Sequence, residues 1–402
     1  MPAVTPSADP SPPPNLALVL TGGGARAAYQ AGVLRGIGRL LPELRVPILV
    51  GVSAGGINTV FLAAHSAPLG EASRALENVW RGLDTANVFR VDTPSLARSF
   101  TRWVTRLSTG GSPLTPAVRG LVDSRPLHKL IEDTVPTVDG EFVGIARNLE
   151  RGLLHAVALT TLNYSTGQTV TWVQGADIRP WTQARLCSLN SRLTVDHTMA
   201  SAALPLFFPA VRLGDAWHGD GGVRLDAPLS GALRLGATRI LAISPRYEQS
   251  AEEASRPKIS GYPPPAQILS HLLNSIFLDV LDRDARVLEL LNRLVRQLPA
   301  DRRGGMQPID ILVLRPSEDL GLLASKYEPR LPPAFRYLTR SLGTRETNTS
   351  DLLSMLMFQP DYLERLLEIG ERDAEAKSDE IRRLAAGGQA GAPAPGHGAD
   401  PP

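Results

Sequence analysis

Two short apolar segments, each followed by small residues and then by a helical pattern, constrain the fold of this chain more than any other feature. The segments are five or six residues long, a length typical of buried strands. The first helical pattern has an apolar residue at every fourth position from Tyr29 to Leu41. A strand, a helix and a second strand in this order predict two parallel strands in one sheet. The predicted parts are a strand at Asn15–Leu20, a loop at Thr21–Gly24, a helix at Ala25–Leu41, a strand at Val46–Val50, a turn at Gly51–Gly55 and a helix at Gly56–Ala64.

The rest of the chain predicts one α/β domain with a helical C-terminal part. Residues 1–14 and 386–402 are rich in Pro, Ala and Gly, which is typical of disordered tails. Between them we expect a domain at 15–245, an exposed loop at 246–265 and a helical part at 266–385 packed on the domain. Further strands are predicted at Leu154–Asn163, Gln168–Val173, Arg239–Ser244 and Ile309–Leu314, a long helix with one break at Gln267–Leu298, and closing helices at Leu352–Leu384.

Charge and cysteine content exclude several classes of protein. The formal net charge is only +2, so no overall field attracts nucleic acid. Cys187 is the only cysteine, which excludes an intrachain disulfide and a cysteine metal cluster and suits a reducing compartment. The first fourteen residues lack the features of a secretory signal, and no run of about 18 apolar residues predicts a spanning helix. We therefore expect a cytoplasmic protein that is soluble or contacts a membrane only peripherally.

The turn at Gly51–Gly55 has the sequence G-x-S-x-G, with Ser53 at its centre. A strand that turns abruptly into a helix brings its backbone close together, so small residues such as Gly51 and Gly55 must flank the turn. This geometry exposes the serine oxygen at the carboxyl edge of the sheet, and the next helix offers free N–H groups to an oxyanion. The pentapeptide alone is a weak signal. Its context favours a nucleophilic Ser53 over a serine that only caps a helix.

The loop at Gly22–Arg26 presents successive glycine N–H groups that can point at one negative oxygen. Dinucleotide binding would fit Gly22-x-Gly24-x-x-Ala27, but it needs an acidic residue at the end of the second strand, where the chain has none. A P-loop is excluded because no Gly-Lys-Ser/Thr follows. An oxyanion site for acyl transfer is favoured, since adjacent parallel strands place this loop and Ser53 at the same edge.

A nucleophilic serine also needs a base, either a histidine or a carboxylate. An α/β-hydrolase order requires a late histidine, but His271 lies in a predicted helix and His397 in a predicted tail. Asp220 is the better candidate, because the two glycines after it suit a positioned carboxylate, although Asp-Gly is also common in plain turns. His218 lies two residues earlier on the same face of an extended segment, so a catalytic role for it stays open.

Four blocks of sequence follow one another between Asn15 and Thr238. They are the glycine loop at Gly22–Arg26, the serine turn at Gly51–Gly55, the segment ASAALPLFFP at Ala200–Pro209, and Asp220-Gly221-Gly222. In this order and spacing the blocks resemble the patatin-like phospholipases. The segments at Ser317–Ala324 and Leu352–Arg372 resemble the longer bacterial members. One departure is Ala27, where the family usually has glycine.

The resemblance implies a patatin-like three-layer α/β/α sandwich with a mainly parallel central sheet and a helical C-terminal part, in which 15–245 is the catalytic domain. It implies a serine acyl hydrolase of phospholipase A or lysophospholipase type, with Ser53 as nucleophile and Asp220 as general base. The oxyanion hole would comprise Gly22, Gly23, Gly24, Ala25 and Arg26, and the nucleophile elbow would include Gly51 and Gly55. The expected partner is a lipid or acyl ester, with no metal or cofactor and no nucleic acid. Two alternatives stay open: a soluble carboxylesterase for short acyl esters, and a non-catalytic lipid-binding module.

The segment Pro94–Ser108 has an amphipathic pattern. Apolar residues from Leu96 to Leu107 share one helical face, and three arginines lie on another. An interfacial helix, a lid over the site and a helix packed on the core all fit this pattern.

Overall fold

The computed structural model describes residues 16–90, 120–255, 262–333, 336–337, 340 and 351–387. The amphipathic segment Pro94–Ser108, the predicted tail at 1–14 and nearly all of the predicted tail at 386–402 lie outside these residues. Within the described residues, no helix is both long and apolar enough to cross a bilayer.

A mostly parallel sheet forms the centre of the molecule. Its strands are β1 (Leu16–Leu20), β2 (Ile48–Val52), β5 (Ala156–Asn163), β6 (Thr169–Gly175), β7 (Leu186–Asn190), β8 (Val211–Leu213), β9 (Ala216–Asp220), β10 (Arg239–Ile243) and β11 (Asp310–Leu314), and a separate hairpin pairs β3 (Thr137–Val138) with β4 (Glu141–Phe142). The main order is β11-β10-β1-β2-β5-β6-β7, and the first five of these strands are parallel. Strands β6 and β9 run antiparallel to β5.

Helices cover both faces of this sheet. They are α1 (Ala27–Leu40), α2 (Ala54–Ala64), α3 (Leu69–Arg81), α4 (Thr85–Val88), α5 (Arg125–Thr134), α6 (Val143–Glu150), α7 (Val195–Ser201), α8 (Ser230–Arg234), α9 (Ala251–Ser255), α10 (Pro265–Leu273), α11 (Asp279–Gln297), α12 (Leu320–Tyr327), α13 (Asp351–Leu356), α14 (Pro360–Ala376) and α15 (Ser378–Ala386). Single 3₁₀ turns occur at Gly24–Arg26, Gly221–Arg224, Ala300–Arg302 and Glu328–Arg330, and a π-helical turn at Asn274–Leu278.

The alternation of side chains along β1 explains the layers. Successive residues of a strand point to opposite faces. Leu18 therefore belongs to the larger core under α1, α2 and α14, whereas Val19 belongs to a second core under α8 and α11. The result is a three-layer α/β/α sandwich, which confirms the predicted architecture.

The serine turn is shorter than the sequence predicts. Strand β2 extends through Gly51 to Val52, and α2 begins at Ala54, so Ser53 alone connects them. The predicted strand ending at Val50 and the predicted helix starting at Gly56 were therefore wrong at these ends. The reason is that the strand keeps its pairing to β5 up to Val52.

The long C-terminal helix of the prediction has its break near the carboxyl end of β1, where Phe277 lies against Gly22. Helix α10 packs on the larger core, α11 covers the second core, and the π-helical turn at Asn274–Leu278 connects them. Its Phe277 and Leu278 form a small apolar cluster with Met355 of α13. Strand β11, which follows α11, extends the central sheet beside β10.

Candidate active site

Ser53 forms the sharp bend between β2 and α2. Its φ of 57° and ψ of −137° are unfavourable for a residue with a side chain. Two backbone contacts hold this conformation. The N–H of Ser53 donates to Oγ of Ser201 at 3.0 Å, and the C=O of Ser53 accepts from the N–H of Gly56 at 2.9 Å. Ser201 in turn donates its hydroxyl proton to the C=O of Thr160 at 2.8 Å. Ser201 thus ties the bend to strand β5.

Strand β5 also brings Asp220 to Ser53. Val52 pairs with Thr160 at the end of β2, and Asp220 at the end of β9 pairs with Thr161, the next residue of β5. Strand β9 therefore occupies the edge of β5 beyond the point where β2 leaves it. The ends of β2 and β9 point toward each other, which places the aspartate next to the serine.

Asp220 has a fully buried carboxyl group, and only one of its two oxygens accepts a hydrogen bond from a described residue. Its Oδ1 accepts from the N–H of Gly222 at 2.9 Å, whereas Oδ2 has no hydrogen-bond partner within the described part of the chain. Burial raises the pKa of Asp220 to about 7, and the hydroxyl of Ser53 and the N–H of Gly222 lower it only in part. The Ser53 hydroxyl is thus near enough to act on the carboxyl, although no hydrogen bond of ordinary geometry joins them. Such bonds are often long without substrate and shorten when it binds.

The glycine loop lies against the serine. A Cβ at Gly22 would come within 2.8 Å of the Ser53 Cβ and 3.2 Å of its Oγ, so only glycine fits there. Gly24 has a φ of +57°, and a side chain on it would collide with the backbone carbonyl of Met355. Gly23 and Gly24 line the same pocket as Ser53 and Ala54. The N–H groups of Gly23, Gly24 and Ala54 form no hydrogen bond to another described group.

Arg26 does not face the pocket. Its side chain is only 3% exposed and forms an ion pair with Asp351, and its Nε donates to Oγ of Ser354 at 2.7 Å. Its backbone N–H donates to the C=O of Gly23 at 3.1 Å. Ala25 is completely buried. Of the five residues predicted for the oxyanion hole, the structure therefore brings the three glycines to Ser53 and turns the side chain of Arg26 toward α13.

The two flanking glycines of the pentapeptide have different positions. Gly51 is the fourth residue of β2 and packs against Thr59 of α2. Gly55 lies in the first turn of α2, where a side chain would collide with the carbonyl groups of Leu20 and Thr21. Gly55 therefore allows the serine bend and the start of the glycine loop to contact each other.

A largely apolar pocket begins at Ser53. Together with the open solvent at its mouth it encloses about 1010 Å³. Apart from Ser53, the only polar groups among its described lining side chains are those of Asn58, Thr134 and Thr198, together with the indole nitrogen of Trp80. The aliphatic and aromatic side chains of the wall are Ile57, Val60, Phe61, Leu76, Val79, Trp80, Leu83, Val88, Leu127, Leu130, Ile131, Val135, Leu204, Phe208, Phe277, Met355, Leu356 and Phe358.

Asn58 is a residue that the sequence reasoning missed. It is fully buried, accepts from Nε1 of Trp80 at 2.8 Å and donates to Oε1 of Gln30 at 3.1 Å. Gln30 donates to the C=O of Thr21 at 2.7 Å. This chain of hydrogen bonds connects the pocket wall to the start of the glycine loop. An amide within the apolar helix Gly56–Ala64 was the signal in the sequence that could have revealed it.

A family model described as patatin-like phospholipase matches residues 18–233. The chain belongs to the patatin-like phospholipase family. Membership of this family supports lipid acyl hydrolase activity in general terms. The matched residues include Ser53, Ser201 and Asp220, whereas the segments around Phe277 and Asp351 lie beyond the match.

Solved structures with similarity to this patatin-like chain include the following two proteins. VipD from Legionella pneumophila is 14% identical over 92% of this chain and 67% of that one, with a TM-score of 0.38. Human GIVD cytosolic phospholipase A2 is 12% identical over 93% of this chain and 60% of that one, with a TM-score of 0.44. The chain therefore spans 67% and 60% of the length of these proteins. A search of curated proteins with this sequence found no match.

The histidines weighed as bases for this patatin-like chain have other contacts or lie outside the described residues. His218 lies on β9, but its Nδ1 is 3.0 Å from Oγ1 of Thr161, which also accepts from Nε1 of Trp172 at 2.9 Å. Burial lowers the pKa of His218, so the ring is neutral at pH 7. His271 lies in α10 and contacts Gln267, and His397 lies outside the described residues. These contacts favour a structural role for His218.

Proposed function

We propose that this protein is a serine acyl hydrolase that cleaves fatty-acyl esters of lipids, as a phospholipase A or a lysophospholipase does. The observation that carries the proposal is the fully buried carboxyl of Asp220, which interacts with the hydroxyl of the strained Ser53 and whose Oδ2 has no hydrogen-bond partner among the described residues. A buried carboxyl with a pKa of about 7 is suited to general base catalysis at neutral pH, because it is ionised to a large extent there and still binds a proton well.

In the proposed first step, Asp220 accepts the hydroxyl proton of Ser53, and the serine oxygen attacks the carbonyl carbon of the ester. The tetrahedral intermediate collapses, the alcohol or lysolipid leaves with a proton from Asp220, and an acyl-serine remains. Water then attacks the acyl group, with Asp220 again as base. The fatty acid is released and Ser53 regains its proton. The chain's own residues suffice for these steps.

The negative oxygen of the intermediate needs hydrogen-bond donors. The N–H groups of Gly23, Gly24 and Ala54 are suited to this role, because they lie at the pocket beside Ser53 and are not otherwise engaged among the described groups. Each well-placed donor typically contributes about 100- to 1,000-fold in rate. Gly22 contributes by its lack of a side chain, which lets the loop approach Ser53.

The apolar pocket supports a long acyl chain as the group that is transferred. A hydrocarbon chain in this pocket leaves water and contacts aliphatic and aromatic side chains, which is favourable by about 0.8 kcal/mol per buried CH₂ group. The lining carries no charged side chain among the described residues, so a charged headgroup would lie outside it. Localisation in the cytoplasm, with peripheral membrane contact, stays a prediction.

Hydrolysis of esters of increasing chain length tests the proposal. We expect wild-type protein to cleave p-nitrophenyl esters with kcat/KM rising from acetate to longer chains, and to release fatty acid from phospholipid or lysophospholipid vesicles. Ser53→Ala is the matched control, because it removes only the hydroxyl. Equal hydrolysis by the two proteins would contradict the proposal.

The same experiment distinguishes the alternatives. A preference for acetate and butyrate esters over vesicle lipids would identify a carboxylesterase for short acyl groups. Binding of lipid without hydrolysis would identify a non-catalytic module.

A further inference from the structure

The glycine loop and the π-helical turn Asn274–Leu278, here called the Phe277 turn, both line the pocket at Ser53. They share one carboxylate outside the family match. Asp351, the first residue of α13, forms the ion pair with Arg26 of the loop through its Oδ1. Its Oδ2 accepts from Nδ2 of Asn274 at 2.6 Å. Asn274 begins the π-helical turn that carries Phe277.

Helix α13 contacts the loop at two further points. Ser354 accepts from Nε of Arg26 and donates its own hydroxyl proton to the C=O of Asp351 at 2.6 Å. The Met355 carbonyl lies so close to Gly24 that no side chain fits between them. The loop therefore rests on the backbone of α13, and the buried Arg26 needs Asp351 as its counter-ion.

Phe277 contacts both the glycine loop and the turn after Asp220. Its ring lies against Gly22 of the loop and against Gly222, whose N–H donates to Asp220: a Cβ on these glycines would come within 3.5 Å and 2.6 Å of its Cδ1. The ring is buried and forms part of the pocket wall. A π-helical turn inside a longer helix often marks a functional position, and in this chain it is the turn that places Phe277.

We propose that Asp351 is a positioning residue of the active site. Its carboxylate fixes the glycine loop through Arg26 and the Phe277 turn through Asn274, so that the oxyanion donors and the pocket wall are aligned only when α13 is docked. The expected effect of Asp351 on catalysis rests on the proposed function. The expected effect of Asp351 on the order of the glycine loop is independent of that function.

The test compares Asp351→Asn with Asp361→Asn. The first substitution keeps the shape and removes the charge that Arg26 requires. The second removes a carboxylate from the same C-terminal part, where Asp361 forms an exposed ion pair with Arg330. If wild type and Asp361→Asn both hydrolyse a p-nitrophenyl ester, we expect Asp351→Asn to lower kcat for that ester about 10- to 100-fold. Its KM should stay within threefold of the wild-type value, and the midpoint of its pH–rate profile should be unchanged. The control stays within twofold of wild type.

Hydrogen–deuterium exchange gives a readout that needs no turnover. We expect exchange in the peptide around Thr21–Ala28 to rise at least tenfold in Asp351→Asn, while the peptide around Gly51–Thr59 exchanges as in wild type. Exchange that rises equally throughout the protein, or kcat within twofold of wild type, would overturn the inference. If wild type hydrolyses no ester while loop exchange responds as expected, the proposed function fails and the loop inference stands.

A second variant covers the case in which Asp351→Asn does not fold. Arg26→Lys keeps the charge but loses the Nε donor to Ser354, and a milder change of the same kind is expected: kcat falls about threefold to tenfold with KM unchanged. Loss of activity only in proportion to the unfolded fraction would count against the inference.

Discussion

The two turns that meet at the catalytic edge are held in different ways. The serine bend is fixed from within the family-matched part of the chain, by Ser201 and by the pairing of β2 with β5. The glycine loop is fixed largely from outside it, by Asp351, Ser354 and Met355 of α13. The difference indicates that the proposed nucleophile and base lie within the family-matched residues, whereas the alignment of the proposed oxyanion donors is expected to depend on this chain's C-terminal part.

Among substitutions in the glycine loop, Gly24→Ala is expected to lower kcat the most. Alanine would be strained at the positive φ of this position, and its methyl group would collide with the Met355 carbonyl, so the loop must shift away from α13. We expect at least a 100-fold loss of kcat in ester hydrolysis. Gly304→Ala is the matched control, because Gly304 has the same φ of +57° with open space around it. Equal losses in both variants would mean that backbone strain, and not the contact with α13, is responsible.

The pH dependence of kcat/KM tests Asp220 as the base for Ser53. Asp220 must be ionised to accept a proton, so kcat/KM should rise about tenfold per pH unit below 7 and level off above it, following the raised pKa of about 7. A pH–rate profile of the free enzyme measures this midpoint. A plateau that extends down to pH 5 would exclude a base with this raised pKa.

On the serine side, Ser201→Ala is expected to have a smaller effect than Gly24→Ala. The variant leaves the N–H of Ser53 without its acceptor, so the strained bend relaxes. We expect roughly a tenfold loss of kcat and a loss of about 1–2 kcal/mol in the free energy of unfolding. Ser188→Ala is the control, because Ser188 is also buried and accepts a backbone N–H, that of Trp181 at 2.8 Å. If both variants kept full activity, the assigned role of Ser201 would be wrong.

The smallest effect concerns stability. The folded-state pKa of Asp220 is raised above its unfolded value, so its contribution to stability is complete below about pH 4 and is lost as pH rises toward 7. Asp220→Asn abolishes this loss. Its free energy of unfolding should exceed that of wild type by on the order of 1–4 kcal/mol at pH 8 and by less at pH 5. Denaturant unfolding at the two pH values checks this, and an Asp220→Asn protein less stable than wild type at pH 8 would contradict it.

The parts of the fold that depend on local pattern could be predicted from the sequence. The apolar runs before Thr21 and Ser53 and the helical spacing after them gave β1, α1, β2 and α2 to within about two residues. The break in the helix after Gln267 was also predicted. The placement of Asp220 could not be predicted, because it depends on β9 pairing with the part of β5 beyond the end of β2, and β9 is only five residues long.

The contacts that hold the site residues in place could not be predicted from the sequence either. The resemblance to the family implied Arg26 at the oxyanion hole, but its partner Asp351 lies 325 residues away in the chain. Ser201 belongs to the segment Ala200–Pro209 that carries the resemblance. Its contact with Ser53 could not be predicted, because it requires α7 to pack at the end of β5. Pairs so distant in sequence leave no periodic signal.

Covalent labelling by a fluorophosphonate tests the central claim most directly, because the reagent forms a stable bond only with an activated serine. Wild-type protein at pH 8 should gain the mass of one probe, and peptide mapping should place it on Ser53. Asp220→Asn should react at least 100-fold more slowly, and Ser53→Ala should not react. Labelling of Ser53→Ala at the wild-type rate, or undiminished labelling of Asp220→Asn, would contradict the assignment of Ser53 and Asp220 as nucleophile and base.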